Sequence, residues 1–430
     1  MKPRWPFPAG PCRLSRARVP AALIECAAAG SGGFVTADLW IDGSTLRLTG
    51  PADWPSVELN GAVVTPCFVD CHTHLDKGHI WPRAANPDGS FMGALETVHA
   101  DRDARWTADD VRARMTFALR CAWAHGTSAI RTHLDSIGKQ TAISWAVFRE
   151  VREEWRGRIA LQAAALTIAD TIGSDEFAAV ADEVSRSGGV LGAVTIPLPD
   201  LDARLDTFFR MASDRNLDAD FHVDETGDAE VRTLRAIADA KLRNRYEGRV
   251  LVGHCCSLAV QPDDYARATM DRVAEAGLSV VSLPMCNMYL QGRGGTPRWR
   301  GVTLVHELMA RGVNVCFASD NTRDPFYAYG DLDMLEVWRE ATRIAHLDHP
   351  VGDWPASFFS NPAAAMGVAA GRLRDGGPAD LVIFPARNWT ELWARPWPDR
   401  LVIRDGRPLD ARPPDYAELD ELFAPVTEPA

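Results

Sequence analysis

The chain has no run of about 18 apolar residues, so a helical membrane span is excluded. It has no C-x-x-C pair, which leaves a zinc ribbon or a thioredoxin-type redox site without its signature. Its nine cysteines are irregularly spaced. Cys255 and Cys256 stand side by side in an apolar run, the pattern of buried free thiols, and a reduced, cytoplasmic setting is expected. Basic charge is scarce as well. The formal net charge of −12 argues against a phosphate-binding nucleic-acid surface, though not against a free nucleobase, which carries no phosphate. No G-x-G-x-x-G follows the first candidate strand, so a dinucleotide fold gains no support. The opening MKPRWPFPAGPCRLSRARVP is basic and proline-rich and lacks the apolar centre of a secretory signal. It reads as an extended arm over a surface, and the closing RPPDYAELDELFAPVTEPA reads as a covering tail.

With 46% apolar and 24% charged residues over 430 positions, the rest has the composition of a soluble globular protein. The length suits one barrel-sized domain plus something smaller. Eight nearly continuous apolar runs alternate with amphipathic stretches: 63–74, 128–135, 159–166, 190–198, 218–225, 249–256, 278–284 and 314–320. Parallel strands buried on both faces read this way. Between them, Thr107 and Gly126 bracket one helical pattern as N-cap and C-cap, and Pro262 and Gly277 bracket another. Leu201, Leu205, Phe208, Phe209 and Met211 form a helical stripe. The flanks differ: 34–64 alternates and turns at Asp42-Gly43 and Asn60-Gly61, and two further short strands surround Asp405-Gly406. The predicted fold is α/β, a (β/α)8 TIM-like barrel over 65–370 with a small β-sandwich built from both chain ends, 1–64 and 371–430. An open doubly wound sheet is the rival.

Polar residues gather where the apolar runs end. Run one closes with His72 and His74, run two with His133 and Asp135, run five with His222, Asp224 and Glu225, run six with His254, and run eight with Asp320 and Asn321. In a barrel these ends meet on one face. Residues i and i+2 of a strand point to the same side, so His72 and His74 project together. Three or four histidines with one aspartate suit Zn²⁺ or Fe²⁺, and a water at an open position would be activated near neutral pH. Glu225, at the same rim, is placed to carry a proton to a leaving group. Taken singly, each has a plain reading: His254 as a core histidine, Asp320 as a helix cap, His133 as a pocket liner.

At these residues the chain resembles the amidohydrolase superfamily, and within it the cytosine deaminase group. The resemblance rests on PCFVDCHTHLDK, GTSAIRTHLD, FHVDE, VGH, the run Asn287 to Leu335, and NPAAAMG. It implies one divalent metal, Zn²⁺ or Fe²⁺, on His72, His74, His222 and Asp320. It implies that Asp320 takes a proton from the attacking water, that Glu225 protonates the ring and then the leaving ammonia, and that His254 polarises the reacting centre. Gln291 would lie near the substrate and Phe326 would wall a flat ring. The implied reaction is hydrolytic deamination of cytosine or a cytosine-like aminoheterocycle by metal-bound hydroxide, with a small-molecule partner, no nucleic acid, no membrane, and a homo-oligomer as the assembly. The other zinc deaminase design needs P-C-x-x-C, and Pro66-Cys67 lacks the second cysteine.

Two departures concern the substrate. Ile168, in LTIAD, stands near the position of a pyrimidine-reading glutamine, and Asn321 replaces a usual aspartate. Sites that hydrogen-bond a ring discriminate by roughly 10⁴ when a partner is missing. The alternative is therefore an amidohydrolase acting on another C–N bond, in an aminotriazine, a pterin or a cyclic amide. A ring-opening dinuclear version needs a barrel lysine, and run four, VLGAVTIPL, has none. A barrel that lost its chemistry would have lost ligands, and here each ligand position is filled.

Overall fold

The first apolar run breaks in two at Pro66, whose nitrogen has no hydrogen to give a ladder. Val63–Pro66 pairs antiparallel with Leu381–Phe384 and parallel with Cys12–Pro20, whereas Phe68–Thr73 joins Thr127–Asp135 in a parallel sheet. One sequence run thus feeds two sheets. The computed structural model describes residues 4–25, 31–299 and 301–424.

Eight parallel strands follow in chain order: Phe68–Thr73, Thr127–Asp135, Ala160–Leu166, Leu191–Val194, Ala219–Val223, Val250–His254, Ser279–Ser282 and Asn314–Phe317. The first three form one sheet and the last five another. Single bridges join the two sheets at both edges: Ala164 with Val190 and Ile168 with Val194 on one side, Thr73 with Asp320 on the other. The strands match the eight sequence runs, trimmed by a few residues at their ends.

Alternation along the strands explains the cores. Val69, Cys71, Ala129, Leu251, Val281 and Cys316 form one cluster with Ala363 and Met366 of the helix Ser360–Met366. Their neighbours Phe68, Ile130, Val252, Val280 and Val315 point the other way, to the large cluster shared with the surrounding helices. The stripe on Leu201–Asp214 packs as expected: Leu205, Phe208 and Phe209 are buried, and the Phe208 ring meets Phe221 of the fifth strand at 4.5 Å. A buried phenylalanine of this kind contributes about 1.5–3 kcal/mol. Thr107 caps Ala108–His125 by accepting from the Asp110 N–H, and Gly126 closes it in the left-handed conformation.

Strands from both chain ends share one eight-stranded sheet, Cys12–Pro20 at its middle and Leu381–Phe384 beside Val63–Pro66. The sequence reading was of a sandwich; hydrogen bonding runs through these strands as a single sheet with a core of its own (Leu14, Val19, Leu39, Val64, Ile383, Ile403). Their neighbours Val63, Val382 and Val402 belong to the large cluster instead. Cys12–Pro20 of the opening arm is a strand of this sheet; Met1–Pro3 lie outside the described residues. The closing tail packs Leu419 on Phe117 and Cys121; 425–430 also lie outside. The eight described cysteines are free and buried, and Cys26 lies outside the described residues. Among the described residues, no helix is long and apolar enough to cross a membrane.

Candidate active site

The C-terminal strand ends bring the histidines together. His72, His74, His133 and His222 each offer a nitrogen within 4.8 Å of the others, and His72, His254 and Asp320 form a second such group. The Nε2 atoms of His74 and His222 face one another at 3.3 Å. Asp320 Oδ1 lies 3.3 Å from His74 Nε2 and 3.6 Å from His72 Nε2. Backbone contacts hold this corner. The Asp320 N–H donates to the His72 carbonyl at 2.9 Å, and Thr73 Oγ1 donates to the Asp320 carbonyl at 2.8 Å. Beneath them Ser319 Oγ donates to Asp70 Oδ2 at 2.5 Å, tying the last strand to the first. Gly253 is needed here, because a Cβ on it would stand 2.9 Å from His72 Cε1. Asp224, His254 and Asp320 all have positive φ, at 51°, 68° and 62°. Such strain in non-glycine residues persists where surrounding structure enforces it, and it gathers at functional sites.

The donor set fits a divalent metal. Both nitrogens of His72, Nδ1 of His74, Nε2 of His254 and both oxygens of Asp320 are buried without a hydrogen-bond partner among the described residues. Burial holds His72, His74 and His222 well below the usual imidazole range, reinforced by neighbouring imidazoles and, for His74 and His222, by Lys77. They are free bases at neutral pH, the form that ligates a metal. Burial pushes Asp320 up to about 7, so a cation beside it would stabilise its charged form.

Glu225 and His254 stand at the rim, joined by a residue that the sequence reading did not single out. Asn287 Nδ2 lies 3.0 Å from Glu225 Oε1 and 3.0 Å from His254 Nδ1. Burial, followed by the charge of Asp320, raises the Glu225 carboxyl well above the usual range. Burial, followed by the neighbouring His133 ring, pushes His254 down to about 3.

Above this floor lies a cavity of about 380 Å³. His74, His222, Glu225, His254, Ile168, Asn321 and Phe326 line it, the last three being residues that the sequence reading named as substrate contacts. Two expected substrate contacts are placed elsewhere. Gln291 is outside the lining and donates through Nε2 to the Glu225 carbonyl at 3.2 Å, bracing the acid from behind. His133 is also outside it: its Nε2 lies 3.0 Å from Asp220 Oδ1, Arg131 holds the other oxygen of that carboxylate at 2.9 Å, and the His133 ring centroid is 4.0 Å from that of His72. Asn321 donates through Nδ2 to Asp324 at 2.7 Å and accepts through Oδ1 from the Cys286 thiol at 3.7 Å, so both ends of its amide are held from within the protein.

Lys77 was also missed. It lines the cavity, pairs with Asp135 Oδ1 at 2.7 Å, and sits 5.7 Å from the Phe326 ring centroid. Burial opposes its charge, but Asp135 and Asp76 outweigh it and hold the ammonium above its usual range. A lysine directly after HTHLD, at the rim of an apolar strand, was the available signal. The helix Phe91–Arg105 adds Phe91, Leu95, Val98, His99 and Arg102 to the wall, and nothing in its weak apolar pattern marked it as part of a site.

Residues 111–410 match the family model described as "Amidohydrolase family", and the chain belongs to that family, whose members are metal-dependent hydrolases. His72 and His74 precede the matched stretch, so their place in the site rests on the geometry above. The chain is 55% identical over 420 residues to a protein of Rhizobium rhizogenes named pterin deaminase, covering 95% of this chain and 96% of that one. It is 24% identical over 345 residues to the N-isopropylammelide isopropyl amidohydrolase of a Pseudomonas species, covering 76% and 81%. The solved structure of 5-methylcytosine deaminase from Klebsiella pneumoniae, liganded with 5-fluorocytosine, superposes with a TM-score of 0.78 at 24% identity, covering 93% of this chain and 97% of that one. That likeness concerns the fold.

Proposed function

We propose that the protein is a metal-dependent hydrolytic deaminase of a pterin-type aminoheterocycle, built on a closed (β/α)8 barrel. The observation that carries the substrate is the 55% identity to a pterin deaminase across nearly the whole of both chains. Cytosine, the first reading of the sequence, gives way to the alternative named beside it. The cavity supports the change. Asn321 is the one side-chain amide among its lining residues, and Ile168 presents a hydrocarbon where a glutamine would read a pyrimidine edge. Apolar atoms make up most of the lining surface, which suits the face of a fused ring. Bridges at both sheet edges support the closed barrel.

His72, His74, His222 and Asp320 would hold one zinc or iron ion. That ion supplies a Lewis acid that makes water nucleophilic near neutral pH. The chain's own groups move the protons. Asp320 accepts one from the attacking water. Glu225, protonated in its buried setting, gives its proton to the ring nitrogen next to the carbon under attack. It then relays the proton held on Asp320 to the departing amine and is itself reprotonated by the hydroxyl of the tetrahedral carbon, so the C–N bond breaks, ammonia leaves and a carbonyl replaces the amino group. His254 receives the Asn287 amide on Nδ1, which assigns its ring proton to Nε2. That unpartnered N–H faces Asp320 and His72, where negative charge develops on oxygen, and a preorganised donor there stabilises the transition state.

The test is ammonia release from pterin and from cytosine by protein loaded with zinc or iron. The expected result is a kcat/KM for pterin at least about 10²-fold above that for cytosine. Preference for cytosine would overturn the substrate reading.

A further inference from the structure

Residues 415–424 touch the elements that wall the cavity, yet no step of the reaction uses them. Tyr416 is 41% exposed, so burial does little to hold it. Two polar contacts do. Its hydroxyl donates to Asp331 Oδ1 at 2.9 Å, and the Arg323 guanidinium lies 4.2 Å from its ring centroid. His125 Nε2 meets the other Asp331 oxygen at 2.8 Å. Arg323 and Asp331 bracket the loop that carries Asp324 and Phe326, directly after Asp320 and Asn321. Leu419 packs on Phe117 and Cys121 of the helix Ala108–His125. Further on, the Leu422 carbonyl accepts from Arg83 at 3.2 Å, and Arg83 also grips Asp101 at 2.9 Å. The Ala424 carbonyl accepts from Arg105 at 3.1 Å. Asp101 and Arg105 belong to the helix that places Phe91 on the cavity. The two walls touch where the Phe91 and Phe326 rings meet edge-on at 5.5 Å.

We propose that residues 415–424 are a strap across the site's rim, with Tyr416 a positioning residue that fixes the Phe326 wall relative to the Phe91 wall and so sets substrate affinity without touching substrate. The strap goes beyond the substrate reading and does not depend on it. Beyond the contact of the Phe91 and Phe326 rings, one short piece of chain ties the loop after the last strand to the helix Phe91–Arg105.

Hydrogen–deuterium exchange on the metal-loaded protein tests it. Tyr416→Phe keeps the ring under Arg323 and removes only the bond to Asp331. The expected result is exchange about tenfold faster across residues 321–332, with protection kept in Ala219–Val223 and Val250–His254. Leu419→Ala, which loosens the strap on a different helix, should show the same pattern more weakly. With any aminoheterocycle that the protein turns over, Tyr416→Phe should raise KM about fivefold with kcat within about twofold. Unchanged exchange at 321–332, uniformly faster exchange along the whole chain, or a loss confined to kcat would each overturn the strap. If no ring is turned over, the substrate reading fails and the exchange result alone decides.

Discussion

The floor and the wall of the cavity are built differently. The floor is made of His72, His74, His222, His254 and Asp320, each on or just beyond a parallel strand and held by backbone contacts such as Asp320 N–H to His72 O. The wall is made of Phe91, Leu95, Ile137, Ile168, Ile196 and Phe326, which come from a helix and from connections between elements. A reaction that needs ligands and proton carriers at fixed separations belongs on the rigid part. Choice of ring belongs on the part that can vary without disturbing the strands. The cytosine-type fold and the pterin-type relative are thus compatible: one concerns the floor, the other the wall.

The largest effect should come from the floor. Asp320→Ala should lose metal and lower kcat by about 10³-fold or more, because a Lewis acid supplies several kcal/mol of transition-state stabilisation. Metal content by atomic absorption and ammonia release check both; a variant that kept both would break the division. Glu225→Gln should keep the metal and lower kcat by about 10³-fold, the scale of general acid–base catalysis. Near-normal turnover would move the acid elsewhere.

A third prediction concerns the far anchor of the loop that joins floor to wall. Asp333 is half-buried, and desolvation raises its carboxyl, but Arg400 and His125 outweigh it and hold the carboxyl below its usual range. With the folded value depressed, the pair's stabilisation is complete above the unfolded value of about 4 and fades as pH falls through the folded one. Arg400→Leu should cost about 2 kcal/mol of folding stability at pH 7, since it takes the guanidinium from a half-buried carboxylate that keeps only His125 and the Leu335 N–H. It should also flatten the fall of Tm below pH of about 4, while metal content stays unchanged. A fall in Tm with pH as steep as in the parent would refute the pairing.

The smallest effect should come from the wall. Ile168→Gln should raise the ratio of cytosine to pterin kcat/KM by about tenfold, as one added ring contact warrants. An unchanged ratio would mean that ring choice is made elsewhere in the lining.

The floor was legible in the sequence because strand ends mark themselves: an apolar run stops, and a polar residue that ought not to be there follows. His222 and Glu225 after ADF, or His254 after VLVG, need no tertiary knowledge to be noticed. Phe91–Arg105 gave no such cue, because its place over the site depends on where the chain goes after Ile80. Gln291 and His133 are a different case. Both lie in the right neighbourhood, but the direction of a side chain is settled by partners distant in sequence, the Glu225 carbonyl for one and Asp220 for the other. Pro66 split one apparent strand between two sheets, which hydrophobicity alone could not show because both halves are buried.

The most direct test of the central claim is a metal titration. The protein is stripped by chelation, zinc or iron is added back in steps, and ammonia release from pterin is followed. The account predicts almost no release from stripped protein and a rise that levels off at one metal ion per chain. Undiminished release after stripping, or a plateau at two ions, would contradict a single metal held by His72, His74, His222 and Asp320.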